Sequence, residues 1–264
     1  MKSMSWIILL AVAVPSVLVD GARAAEAPPK APPTSQFAPA EDLATQVDYY
    51  LKRLDQAVAT EEDYKDFVER IGKDSNTLIV IALTLGLHDT DNAYKAAAPA
   101  MIEASRQLAA TKDYAAAKAG VEAVKKAVGS KTGDSSTLKW EKKADLKQLM
   151  LAVPGINTQL KRNAKLRRPK RDGPKAAGRA AAIGAIGQAS LYHSADTTKP
   201  ELADQWYKYC EEMRDAAAEV NAAAHKGDKK AARAAIQKLT ESCDHCHDVF
   251  APEAKEKAQA ESDD

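Results

Sequence analysis

The chain has 264 residues, enough for one large domain or two small ones, each with a core of its own. Lys and Arg together number 38 against 37 Asp and Glu, a net charge of +1, so no global charge draws the protein to nucleic acid or to an anionic membrane. Aromatic residues make up only 5% and alanine runs recur, which favours helices over sheets; no stretch reads as a strand, and the expected fold class is all-α.

Residues 1–24 read as an export signal. Lys2 gives a positive start, residues 6–19 are apolar apart from Pro15 and Ser16, and Ala22-Arg23-Ala24 supplies the small residues of a cleavage site. The apolar run is too short for a stable membrane anchor, so we expect cleavage after Ala24 and a periplasmic or otherwise exported protein. Residues 25–40, with Pro28, Pro29, Pro32 and Pro33, read as an extended and mobile linker.

Residues 41–129 form a first helical unit. Val47, Tyr50, Leu51, Leu54 and Val58 recur at steps of three and four, one stripe of an amphipathic helix. A second helix is expected over 61–87, with Leu78, Ile79, Val80, Ile81 and Leu83. A third spans 91–110, with a kink or a boundary at Pro99. The fourth, 113–128, is capped by Asp113 and ended by Gly129.

A polar linker, 130–137, leads to a second unit at 138–251 and a polar tail at 252–264. Its first helix is expected from about Leu138, presenting Leu146, Leu149, Met150 and Val153, with a bend or break at Pro154-Gly155 before it resumes over 156–166. A basic connection covers 161–175, and an Ala/Gly-rich helix covers 176–192. The third helix, 199–224, carries Trp206, Cys210, Met213, Ala217 and Val220 on one face. The last, 228–250, turns Ala232, Ile236, Leu239, Cys243, Cys246 and Phe250 inward.

That last helix holds the chemistry. Cys243-Asp244-His245-Cys246-His247 is a C-x-x-C-H element, the attachment signature of a c-type haem. Positions i, i+3 and i+4 share a helix face, so Cys243 and Cys246 can form thioethers to the haem vinyl groups while His247 ligates the iron. A structural zinc site would need four N or S ligands, and the only other cysteine is Cys210. A redox C-x-x-C normally opens a helix beside a parallel sheet, which this pattern lacks.

The other polar candidates have plainer readings. His245 should face solvent, His193 and His225 should sit at helix ends as caps or surface groups, and Cys210 should be a small buried residue. His88 falls in the first unit. The basic stretch Lys161, Arg162, Lys165, Arg167, Arg168, Lys170 and Arg171 is either a solvated loop or a docking patch for an acidic redox partner or a haem propionate.

The two units look like a duplication. Residues 109–113 followed by 118–124 parallel residues 224–228 followed by 233–239, and this register sets Val128, Lys131 and Thr132 where Cys243, Cys246 and His247 stand. The first unit therefore has no means of holding haem, and a single haem is expected. The bulky residues of 78–87 against the small ones of 180–189 fit that reading, because a haem-free copy must fill its core with side chains.

On these residues, the stretch 140–251 resembles the class II cytochromes c, the cytochrome c′ type of four-helix bundle. The resemblance is carried by 201–206, by 222–228 and above all by 242–250, around Cys243, Cys246 and His247. It implies thioether links at Cys243 and Cys246 and a proximal ligand at His247. The first unit looks like a degenerate, haem-less relative. Two positions depart from the family: Ala251 follows Phe250 where a basic residue is common, and Pro154-Gly155 interrupts the first helix of the unit. In the family that helix faces the distal side of the haem, which makes Met150 a possible sixth iron ligand, with Met213 as competitor.

The sequence thus leads us to expect two tandem four-helix bundles, the second with one covalent haem c. The implied role is one-electron transfer with a redox partner protein and no enzymatic chemistry. The alternatives are a gas-binding or sensing haem protein with an open distal site, and an interaction protein using the haem-less bundle; a homodimer fits any of these.

Overall fold

Side chains of Asp and Thr start half of the helices. In the computed structural model, which describes residues 27–253, the chain forms α1 (Ala40–Ala57), α2 (Glu61–Gly86), α3 (Ala98–Ala109), α4 (Tyr114–Val128), α5 (Leu146–Asn163), α6 (Pro169–Ser190), α7 (Ala203–Lys226) and α8 (Lys229–Phe250). Thr60, Asp113, Asp145 and Asp228 each accept a backbone N–H from the first turn of α2, α4, α5 and α8, where the helix itself supplies no partner. Gly227, at φ 66°, ends α7 in the left-handed conformation that glycine adopts without cost. The described residues contain no strand, and none of their helices is long and apolar enough to cross a membrane. The expected signal and nearly all of the expected polar tail lie outside the described residues.

Three elements differ from expectation, each for a physical reason. α3 begins at Ala98, not at 91, and Pro99 occupies its first turn, where a missing N–H leaves nothing unpaired. α5 begins at Leu146 and runs unbroken through Pro154 and Gly155. The bond that Pro154 cannot donate is offset by packing, since Leu149, Val153, Ile156 and Leu160 are buried along one face. α6 starts at Pro169, inside the stretch read as a basic connection. Lys170, Arg171 and Lys175 of its first turns are exposed while Asp172, Gly173, Ala176 and Ala177 are buried.

The helices pack in two consecutive sets. α1 to α4 follow one another as neighbours, and α4 returns to α1 to close the ring. α5, α6, α7 and α8 also follow one another, but α8 makes few direct contacts with α5. α6 lies at the centre of the molecule, against α7 and α5 on one side and α1 and α2 on the other, so a continuous apolar core runs through both sets.

This position corrects the reading of α6 as the helix that makes room for haem. Its small residues are all buried and serve close backbone approach: a Cβ on Gly187 would stand 3.0 Å from Arg214 N and 3.1 Å from Cys210 O. The segment before α1 is likewise no mobile linker. A short 3-10 turn at Thr34–Gln36 leads into Phe37, which is 2% exposed and tilts against Trp140 at 6.4 Å, while His88 Nε2 meets Ala38 O at 3.2 Å.

Candidate functional site

α8 is held at both ends. Asp228 caps its start, and Ala232, Ala235, Leu239 and Ser242 form its buried stripe. At the far end, the Phe250 ring meets Trp206 edge-on at 5.2 Å and Tyr209 at 6.4 Å. Trp206 is fixed in turn, since its Nε1 donates to Ser190 O at 2.8 Å, at the end of α6. The last two turns of α8 are therefore anchored to α7 through a small aromatic cluster, with Leu146 of α5 packed beside it.

Between these anchors Cys243, Cys246 and His247 are half-buried and line one cleft of about 330 Å³. Met150, Val153 and Pro154 of α5 form the facing wall, and Trp206, Cys210 and Met213 of α7 form the floor. This is the gap left where α8 does not close on α5, and its size falls in the range of cofactor pockets. Sequence reasoning missed Tyr209 and Ser190 on its lining. Tyr209 was readable as the residue three after Trp206 and four before Met213. Nothing local marks Ser190, whose hydroxyl is buried without a hydrogen-bond partner.

The electrostatics keep the thiols neutral. Burial raises the pKa of Cys243, and it pushes Cys246 up to about 12 with a further contribution from Cys243. Burial also raises Cys210, followed by the effect of Cys246. A redox C-x-x-C works through a lowered pKa near a helix N-terminus, whereas Cys243 and Cys246 sit toward the C-terminal end of α8. Among the described residues no three His, Cys, Asp or Glu side chains converge as a metal-ion cluster. A haem asks for less: two thiols to anchor its edge, one imidazole for its iron and apolar walls for its ring. The cleft offers each of these. Lys161 is the one Lys or Arg on its lining, and its charge offsets part of the rise at Cys243.

The remaining candidates are placed as follows. His245 is exposed on the outer side of α8, as expected. Arg162, Lys165, Arg167, Arg168, Lys170 and Arg171 are exposed, and of the basic stretch Lys161 alone lines the cleft. His193 is no surface cap: it is 1% exposed, with Nδ1 2.8 Å from Asp196 Oδ2. His225 joins the two sets of helices, its Nε2 lying 2.7 Å from Asp42 Oδ2 of α1. Cys210 is buried, as expected for a small core residue, though it also faces the cleft.

The family model described as Cytochrome C' matches residues 194–251, which span the turn before α7, α7 itself and α8. No curated protein and no solved structure matches the chain. The stretch that forms α7 and α8 is therefore cytochrome c′-like, and the family it resembles is one of haem-binding cytochromes.

Proposed function

We propose that the chain is an exported c-type cytochrome with one covalent haem, acting as a one-electron carrier. One observation carries the reading: Cys243, Cys246 and His247 share a face of α8 and open onto a single hydrophobic cleft whose facing wall is α5. When bound, the haem supplies a ferrous/ferric couple. The protein's part is to hold and shield it. Cys243 and Cys246 would take the thioether links, and His247 would ligate the iron. Trp206, packed against Phe250, forms part of the cleft wall on the α7 side.

Met150 is our choice for the sixth ligand. It stands on the wall facing α8, whereas Met213 belongs to α7, on which α8 packs directly. Lys161 is placed to meet a propionate, and the exposed residues from Arg162 to Arg171 offer a docking face to an acidic partner protein. The set α1 to α4 acts as a structural buttress.

The test uses purified protein that has been exported by its own signal. Acidic solvent should leave the haem on the chain, intact mass should show one haem, and the reduced protein should bind carbon monoxide slowly. Haem lost to the solvent, or two haems, overturns the assignment. Immediate carbon monoxide binding by the unmutated ferrous protein overturns Met150 as ligand and favours gas binding at an open site.

A further inference from the structure

A second cavity, of about 190 Å³, lies between the two sets of helices and shares α5 with the cleft. Leu151, Ala152, Gly155 and Ile156 face it, where Met150, Val153 and Pro154 face the cleft. Its charge is one-sided. Arg53, Arg70, Lys73 and Arg179 line it, and the only acidic residue among them is Asp74. That carboxylate is already taken, by Nε of Arg53 at 2.7 Å and Nη2 at 3.1 Å.

The other three cations have no ion-pair partner among the described residues. Arg179 is the sharpest case. It is 9% exposed, and its guanidinium donates only to neutral oxygens, Lys175 O at 2.9 Å and Gln159 Oε1 at 2.7 Å. A buried charge is nearly always paired, because transfer out of water costs several kcal/mol that neutral acceptors only partly return. Arg70 gives Nη2 to Arg53 O at 3.1 Å and leaves its buried Nε without a partner. Tyr49 accepts from Arg53 Nη1 at 3.4 Å and from Gln159 Nε2 at 3.2 Å, so its own hydroxyl proton is free to donate. Gln46 Oε1, also on the lining, is a buried acceptor with no partner.

We infer that this cavity is a binding site for a small multivalent oxyanion of the phosphate type. Arg70, Lys73 and Arg179 supply its countercharge, and Tyr49 supplies a neutral donor. Gln46 accepts the proton that hydrogen phosphate carries and sulfate lacks. The volume, set against the roughly 30 Å³ that one water takes in the liquid, holds such an ion with a few waters. Because its walls come from α1, α2, α5 and α6, an occupied site would tie the two sets of helices together.

The experiment measures thermal unfolding and calorimetric binding of the full-length holoprotein with inorganic phosphate, against sodium chloride at equal ionic strength. Phosphate should bind one to one and raise the midpoint with the logarithm of its concentration, sulfate less so. Arg179→Gln should weaken phosphate at least tenfold. Arg70→Gln should weaken phosphate as well, and Lys165→Gln on the exposed basic stretch should change nothing. The inference fails if phosphate acts no differently from chloride, if Lys165→Gln weakens it as much as Arg179→Gln does, or if Arg179→Gln binds phosphate as tightly as the unmutated protein.

Discussion

α4 and α8 begin alike and end differently. Both start at an aspartate cap, Asp113 and Asp228, but α4 stops after 15 residues at Val128 while α8 runs for 22. With the two caps aligned, Val128 falls level with Cys243. The first set thus ends its last helix where the second begins its C-x-x-C-H element. α4 closes on α1, with Lys125 Nζ 3.1 Å from Asp55, and the interior fills with Leu43, Leu54, Leu78, Ile81, Leu85 and Leu108. α8 stands off α5 and is fastened at its tip by Phe250. The same capping and stripe pattern gives a filled bundle or a cleft according to how far one helix continues and what holds its end.

The contrast breaks hardest at the two cysteines. Cys243→Ala with Cys246→Ala should abolish covalent haem completely, read as the loss of the haem increment in intact mass. Covalent haem retained in that variant would refute the assignment. A smaller effect separates the filled set from the open one. Leu54→Ala should cost about 2–5 kcal/mol in urea unfolding with an unchanged haem spectrum, since Leu54 is fully buried far from the motif. Met150→Ala, at a half-buried cleft position, should cost less stability but alter the ferric spectrum and speed carbon monoxide binding. If both variants behave alike in both measurements, the division into filled and open sets is wrong.

Gly187→Ala tests the seam at the centre. A methyl group there meets backbone atoms of α7 that cannot rotate away, and the expected cost is about 1–3 kcal/mol, against near neutrality if α6 were merely making room. The smallest effect is the pH dependence carried by His193. Burial lowers its pKa below the ordinary value of about 6.5, despite the bond to Asp196. The unfolded chain therefore takes up the proton first as pH falls, and stability should decline from about pH 7 downward, through the depressed native value. His193→Gln should flatten that slope, and a wild-type profile level between pH 7 and 5 would contradict it.

Much of this was legible locally. The Asp113 and Asp228 caps, the stripe from Trp206 through Cys210 and Met213, and the spacing of Cys243, Cys246 and His247 all depend on neighbours within one or two turns. What escaped depends on partners distant in sequence. The stretch 25–40 read as a mobile linker because the contacts of Phe37 with Trp140 and with α6 near Gly184 are invisible to a window. Pro154 looked like a break because the buried face that carries α5 past it is tertiary. Nothing local marks Arg53, Arg70 and Arg179 as a group, and only the packing of α1, α2 and α6 brings them to one cavity.

The bond between Asp42 and Asn221 closes the chain from α1 to α7. Oδ2 of Asp42 accepts from Asn221 Nδ2 at 2.7 Å and meets His225, so the start of α1 is finished by residues near the end of α7. A contact spanning so much of the chain cannot form until nearly all of it has arrived, and such contacts slow folding. Asp42→Ala removes one end of the clasp; we expect a contact of such long range to close after the transition state for folding, so the loss should appear mainly in the unfolding rate.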